Sequence, residues 1–306
     1  MWSIKIFDGE PEPLNLAALE LARAAGAGVE VALYASRGFS PRVDSELALL
    51  GGQPHALGLH LAHAKTSLIE LAARPWGRRE AEAARSWGER ADRLAASEGS
   101  GLSPGAARMA AEAGWARSLG LPGKLPAVIH MDRGSQSDAA AWRGLEPGEF
   151  AARALPAIDA AWELGLRLHM EKTYESRAWL GAFYEALFEL GAAERFGFAF
   201  DLGHSRVWER EPLGGWMGMI ERVDELGFGL HFHLHGNEGG RDSHDTLGKA
   251  QAMGWLDPDP EWAPEGAMPI LRRIQELYER RAMLVLENST HEAWENIGWV
   301  ELAMRG

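Results

Sequence analysis

The sequence predicts a single α/β domain over residues 1–306, a (β/α)8 TIM barrel, and three observations carry that prediction. Short apolar, strand-like runs alternate with longer helical patterns eight times, and repeated βα units demand a parallel sheet. Eight such units in roughly 250 residues or more suffice to close the sheet on itself. No break in composition marks a second domain. The open, doubly wound sheet is the structural alternative. It would carry a glycine-rich turn after its first strand, whereas Asp8-Gly9-Glu10-Pro11 is not G-x-G-x-x-G.

The first strand is expected over residues 3–7 (SIKIF), followed by an amphipathic helix over 14–25 that stops at Gly26. A second strand (28–34, GVEVALY) and a short helix (43–50) precede the third strand, 57–62 (LGLHLA), which runs into His63. The Ala/Arg/Glu-rich region 67–119 reads as two helices broken by SEGSGLSPG at 97–105, a loop signal of clustered Gly, Ser and Pro. The fourth strand (126–130, PAVIH) leads into the loop MDRGSQSD. A helix over 150–164 ends at Gly165, the fifth strand covers 166–171 (LRLHME), and a helix covers 178–194. The sixth strand is 197–201 (GFAFD), a helix follows at 216–226, and the seventh strand is 229–235 (GLHFHLH). A Trp/Pro-rich insertion at 254–264 leads to a helix at 268–280. The eighth strand (282–287, AMLVLE) and a helical stretch from His291 complete the chain.

Composition narrows the function. Hydrophobic residues make up 46% of the chain, ample for a large core, and a charged share of 25% is ordinary for a soluble protein. The formal net charge of −13 opposes long-range attraction to nucleic-acid phosphates or to an anionic membrane surface. With no cysteine, disulfides and thiolate metal sites are excluded, so any metal must sit on His, Asp and Glu. The N-terminal MWSIKIFDGE lacks the pattern of a signal peptide, no window approaches a membrane span, and a cytoplasmic protein is expected. The chain is compatible with a homo-oligomer.

In a barrel of this type the chemistry sits where strands end and βα loops begin. Those positions hold His63, His130, Glu171 and Asp201, with His204 just beyond. The stretch HFHLHGNEGGRDSHDTLG follows at 231–248, and Glu287 ends the eighth strand. Along the seventh strand His231, His233 and His235 alternate with Phe232 and Leu234, so their imidazoles share a face. One apolar strand ending in an ionisable residue is unremarkable. Six consecutive strands doing so, all with hard or borderline ligands, point to a divalent metal, because a buried carboxylate cluster repels itself unless a cation neutralises it.

Each residue has a structural reading beside the functional one. Glu171 and Glu287 could be ion-paired with Lys172 or Arg281, and His63 could be a satisfied core histidine. His60, one face away from His63 by strand alternation, reads as packing or surface, and His55 and His291 as structural. His169 and His231 lie one layer deeper and read as supporting or core residues, while His235 is a supporting or substrate contact. Asp8 and Glu30, on the first two strands, could line the same mouth.

These residues resemble the xylose isomerase-like TIM barrels, which include sugar-phosphate isomerases and epimerases and the endonuclease IV type of abasic-site nuclease. VIHMDRG, LHMEKT, FDLGHS, HLHGNEGGRDSHDTLG and the shorter LVLEN carry the resemblance between His63 and Glu287. Asp201 and His204 form the family's D-x-x-H, His233 falls at its seventh-strand histidine, and Asp242, His244, Leu247 and Gly248 match its D-x-H…(I/L)-G. AHAKTSLIEL resembles the third-strand segment, with His63 as the matching ligand. For the isomerase and epimerase branch, the resemblance implies one Mn or Mg ion on Glu171, Asp201, His233 and Glu287. For the endonuclease IV branch it implies up to three Zn ions on His63, His130, Glu171, Asp201, His204, His233, Asp242, His244 and Glu287.

Departures bear on the choice. Gly236 replaces the acidic residue usual after the seventh-strand histidine, and Lys65 and Thr66 stand where the nuclease loop has an aromatic. The net charge is wrong for a protein that holds duplex DNA across its mouth. Arg133, Arg177, Arg206 and Arg241 fall in catalytic-side loops, to bind one phosphate or carboxylate or to be solvated.

The expectation is therefore a metal-dependent isomerase or epimerase acting on a small sugar, sugar phosphate or keto-acid, a carbohydrate-like partner rather than nucleic acid. Glu171 and Glu287 would move the proton, and His204, Arg241 and His235 would hold the substrate. The alternative is a multinuclear phosphoesterase, in which a bridging water with its pKa lowered to ~7 attacks a phosphoester. A metal-loaded barrel that binds a metabolite without turnover is the third reading.

Overall fold

Eight parallel strands close into a barrel in chain order in the computed structural model, β1 (Trp2–Phe7), β2 (Gly28–Ala32), β3 (Leu57–His60), β4 (Leu125–His130), β5 (Leu166–Glu171), β6 (Phe196–Asp201), β7 (Gly229–Leu234) and β8 (Met283–Leu286). The seam is the β1–β8 pairing, with Ser3 opposite Val285. The structure describes residues 2–35, 38–51, 56–61, 66–73, 76–89, 102–121, 123–132, 141–208 and 211–304. The α/β barrel read from the sequence is the fold observed.

The helices are α1 (Glu12–Ala25), α2 (Pro41–Leu50), α3 (Leu68–Ala72), α4 (Arg78–Gly88), α5 (Pro104–Ser118) and α6 (Pro147–Glu163). They continue as α7 (Arg177–Glu189), α8 (Leu202–Val207), α9 (Leu213–Glu225), α10 (Leu247–Ala252), α11 (Met268–Tyr278) and α12 (Ala293–Ala303). Their starts follow local chemistry. Ser40, Ser67, Ser103 and Ser176 each accept a backbone N–H of the first turn. Helices α1, α2, α5, α6 and α11 carry proline at their first or second position, where its missing N–H costs nothing. Gly26 closes α1 at φ 62°, where a side chain would be strained.

Three differences from expectation matter. The region 67–119 holds three helices among its described residues, not two, because Ser67 caps the short α3 before the Arg74-Pro75 break in the sequence. Most of the expected loop at 97–105 lies outside the described residues. Two short helices, α8 and α10, start close to the C-terminal ends of the strands, the first capped by Asp201 and the second by Thr246. Strands β2 and β3 stop two residues before their expected ends, and α7 stops at Glu189 because Gly191 takes φ 71°.

Alternation sorts each strand. Phe198, Phe200 and Phe232 face the helix layer, where they meet Tyr184, Trp216 and Tyr278 at ring separations of 5.4, 5.9 and 5.3 Å. The opposite faces turn Lys5, Glu30, His60, His169, Glu171, Asp201, His231 and His233 into the barrel, all buried. Among the described residues no helix is long and apolar enough to cross a membrane.

Candidate metal centre

The ionisable residues at the strand ends converge. Asp201 closes β6, and its Oδ1 accepts the His204 backbone N–H at 2.6 Å, capping α8. That bond leaves Oδ2 facing the barrel, 3.2 Å from His235 Nε2 and 3.8 Å from His233 Nδ1. The strand register sets Asp201 opposite His233 and His130 opposite Glu171. Glu171 sits at the middle, with Oε2 3.0 Å from His130 Nε2 and 3.2 Å from His60 Nε2, and Oε1 3.1 Å from His204 Nδ1.

The loop after β7 folds back as the alternating glycines and polar residues suggest. Gly236 and Asp245 exchange two backbone hydrogen bonds of 2.8 Å, and Asn237 Oδ1 accepts the N–H groups of Ser243 and His244. His244 is held at φ 50°, the one non-glycine residue with positive φ among those described. Strain of that kind persists where the surroundings enforce it, and here it stacks the His244 ring 4.1 Å from His235 and sets Nε2 3.2 Å from Asp242 Oδ2. A Cβ on Gly236 would lie 2.1 Å from the Ala250 Cβ, so the seating of α10 leaves no room for the acidic residue usual there.

Three ligand groups result, each with one ligand atom per residue and all atoms within 4.8 Å of one another: His60, His130 and Glu171; Glu171, Asp201, His233 and Glu287; and His204, His235, Asp242 and His244. Two further combinations, His60 with His233 and Glu287, and Glu30 with His231 and His233, overlap them. The donor set fits a divalent cation on a direct observation. His233 Nδ1 and Glu287 Oε2 lie 2.7 Å apart, are buried, and make no hydrogen bond; Glu171 Oε1 and Asp242 Oδ1 are likewise buried without one. Buried lone-pair atoms left this way cost ~1–3 kcal/mol each unless something satisfies them, and a shared cation does.

Charge within the site follows from burial and neighbours. Burial pushes the His60 imidazole down to about 4, with Lys5 adding to the effect, so it is neutral, the form that ligates a metal. Burial works to raise the Glu171 and Glu287 carboxyls. His130 and His233 beside the first, and His233 and Lys5 beside the second, outweigh it and hold both well below the usual range.

The ligand groups open into a cavity of about 430 Å³, whose wall includes Phe7, Tyr34, Tyr174 and Trp208. The Tyr174 and Trp208 rings lie 4.3 Å apart, tilted by 35°, and Trp208 lies 4.4 Å from the His204 ring. The Tyr34 hydroxyl is 3.1 Å from His60 Nδ1.

Of the sequence candidates, the structure brings together His130, Glu171, Asp201, His204, His233, His235, Asp242, His244 and Glu287. His63 lies outside the described residues, as do Lys65 and Arg133. Arg241 is exposed on its loop and is not part of the cavity wall. Arg177 pairs with Glu211, and Arg206 pairs with Asp259 while lying over Trp255 and Trp262. Neither carboxylate takes the ion-pair partner first considered. Lys172 donates to the carbonyls of Thr173, His204 and Trp208, Arg281 pairs with Asp224, and it is Lys5 that reaches Glu287.

His60, Glu30 and Lys5 are the residues that sequence reasoning underrated. His60 faces the site rather than the packing layer, because β3 ends at His60 and alternation counted back from His63 does not apply across that end. Lys5 and Glu30 are in register on adjacent strands, each the one charged residue in an otherwise apolar run, and that coincidence was the available signal. Asp8 serves the backbone instead, accepting the N–H groups of Ala35 and Gly38.

No protein-family model and no curated protein sequence matches the chain. Solved structures do. Endonuclease IV from Thermus thermophilus superposes with a TM-score of 0.53 at 18% identity, covering 99% of this chain and 97% of that one. A D-tagatose 3-epimerase-like protein superposes with a TM-score of 0.53 at 15% identity, with the same coverage. The chain therefore shares the barrel fold of these two proteins.

Proposed function

We propose that this protein is a metal-dependent enzyme acting on a small carbohydrate-like molecule, and that its site is built for two or three divalent ions cleaving a phosphoester. The observation that carries this reading is the sharing of Glu171. Its carboxylate belongs to the His60–His130 group and to the Asp201–His233–Glu287 group at once, and it touches His204 of the third. Divalent ions held on these residues would supply Lewis-acid polarisation of a substrate oxygen and a water with its pKa lowered to about 7. In such a hydrolysis the water oxygen would bond to phosphorus as the bond from phosphorus to the sugar oxygen breaks, and the proton given up by the water would leave on that sugar oxygen.

The chain's own residues supply placement. The βα-loop aromatics Tyr174 and Trp208 line the cavity and offer ring faces on which a sugar ring could pack. Asp242 and His244, carried on the folded-back loop, are half-buried in the cavity wall and complete the third ligand group. The cavity of about 430 Å³ suits a monosaccharide derivative, and the net charge of −13 disfavours a polyanionic duplex.

A single-ion isomerase or epimerase is the second reading, favoured by the self-sufficiency of Glu171, Asp201, His233 and Glu287 as a four-ligand set. It needs a carboxylate that takes a proton from carbon while it also ligates the ion. Both candidates, Glu171 and Glu287, are already committed to ligand groups, and Glu287 is also paired with Lys5. Elemental analysis of protein loaded with Zn, Mn or Mg, combined with assays on a panel of sugar phosphates and free ketoses, separates the two. Two or three ions per chain with release of phosphate is the expected result. One ion per chain with ketose epimerisation and no phosphate release would sink the hydrolytic reading.

A further inference from the structure

We propose that Glu30 is a positioning residue of the metal centre, fixing His233 as the tautomer that carries its proton on Nε2 and turns its Nδ1 lone pair to the ion; the inference rests on the metal reading above. Glu30 lies mid-strand on β2, with no exposed surface, and is not part of the cavity wall that would meet substrate. A buried carboxylate in such a place is seldom explained by stability, since an apolar residue of similar volume serves at least as well.

The geometry gives it a task. His233 Nε2 is 3.1 Å from Glu30 Oε2 in a hydrogen bond. The other nitrogen, Nδ1, faces Glu287 Oε2 at 2.7 Å, Glu171 Oε2 at 3.4 Å and Asp201 Oδ2 at 3.8 Å. A neutral imidazole has one donor and one acceptor nitrogen. With Nε2 donating downward to Glu30, Nδ1 is the lone pair, and it points where the three carboxylates converge. The ring is also held in place from below, because His231 Nε2 lies 2.7 Å from the same Glu30 oxygen and the two rings meet edge to face at 5.1 Å.

Lys5 completes the support. Its ammonium lies 3.3 Å from Glu30 Oε1 and also reaches Glu287 Oε1, so one cation braces the orienting carboxylate and a ligand carboxylate together. The group Glu30, His231 and His233 is not better read as a further ion site, since Lys5 already supplies the positive charge there and His233 has one lone pair to give. Orienting partners of this kind commonly contribute about 10–100-fold in metal affinity.

The test uses Zn²⁺ as the probe. Competition with a chromophoric chelator gives the Zn²⁺ dissociation constant for the full-length wild-type chain and for Glu30→Gln, each checked for folding by circular dichroism. A roughly 10–100-fold weakening in Glu30→Gln is expected. The second readout needs no variant: ¹⁵N NMR of the His233 ring in Zn²⁺-loaded wild type should show Nε2 protonated and Nδ1 ligating. A folded Glu30→Gln that binds Zn²⁺ within about threefold of wild type, or a His233 ring protonated on Nδ1, would overturn the assignment, and if the variant does not fold the ring tautomer alone decides. A purely structural pairing with Lys5 would lower the melting temperature of Glu30→Gln and leave its Zn²⁺ dissociation constant unmoved. Wild type that binds no Zn²⁺ overturns the proposed function itself, and this inference with it.

Discussion

Replacing Asp242 by Asn tests whether the third ligand group holds an ion. Asp242 Oδ2 lies 3.3 Å from His204 Nε2 and 3.2 Å from His244 Nε2, and it is the sole carboxylate in that group. The amide keeps the shape and removes the charge, while Glu171, Asp201, His233 and Glu287 are untouched. One ion per chain should be lost. An ion present at about a thousand times its dissociation constant stabilises the fold by about 4 kcal/mol. Unfolding entropy of about 2.1 cal/mol/K per residue over 306 residues is about 0.64 kcal/mol/K, so losing that ion should lower the melting temperature by ~6 °C. The assay is differential scanning fluorimetry in excess Zn²⁺, paired with elemental analysis after desalting, on wild type and Asp242→Asn, each with and without chelator. In chelator the two proteins should melt within about 2 °C of each other. Equal metal content and equal melting in excess Zn²⁺ would refute the third site and leave at most two ions, on the groups that share Glu171.

Three further outcomes follow from the same geometry. Lys5→Met removes the cation from two buried carboxylates, Glu30 and Glu287; breaking such pairs costs ~3–5 kcal/mol, a melting drop of about 5–8 °C in chelator, and a drop under about 2 °C would contradict the pairing. His60, pushed down to about 4 by burial, has a folded pKa below its unfolded value near 6.5, so its stabilising contribution is present above pH ~6.5 and lost as pH falls through about 4. Urea unfolding of chelated protein between about pH 7 and about pH 4 should show that loss, and His60→Gln should flatten it. Gly236→Ala would set a Cβ 2.1 Å from Ala250, forcing α10 away at a cost of ~1–3 kcal/mol and carrying Asp242 and His244 with the loop; unchanged metal content in this variant would show that the loop tolerates the shift.

How much of this was legible in the sequence depended on how local the signal was. The eight strands were, because each pairs an apolar run with a helix bounded by Gly, Pro or Ser, and the start and end of each is set within a few residues. The convergence of Glu171, Asp201 and Glu287 at one end of the barrel was as well, because each ends such a run. His60 was not, since its direction depends on where β3 stops, and the expected strand ran two residues too far. Lys5 and Glu30 were hidden by a different cause. SIKIF and GVEVA each tolerate a charged residue on a solvent face, and only closure of β1 onto β8 brings Lys5 to Glu287, 282 residues away. A contact of that separation leaves no trace in local periodicity.

Closure also explains how the barrel can give its interior over to chemistry. The interior of a (β/α)8 barrel is ordinarily packed with layers of Val, Ile and Leu. Here the inward positions of adjacent strands hold Lys5, Glu30, His60, His169, Glu171, Asp201, His231 and His233, none with more than 3% of its surface exposed. The apolar core is displaced outward, to the shell between strands and helices where Ile6, Val31, Phe198, Phe200, Phe232 and Leu284 lie fully buried. The two layers should therefore respond to different perturbations. Truncating Phe232, which stacks on Tyr278 at 5.3 Å, should cost ~3–5 kcal/mol whether or not metal is bound. Truncating an inward ligand should cost more stability with metal bound than in chelator, where its ion pairs and hydrogen bonds alone are lost. A Phe232→Ala destabilisation that vanished in chelator would show that the shell, too, depends on the ions, and the separation of core from centre would fail.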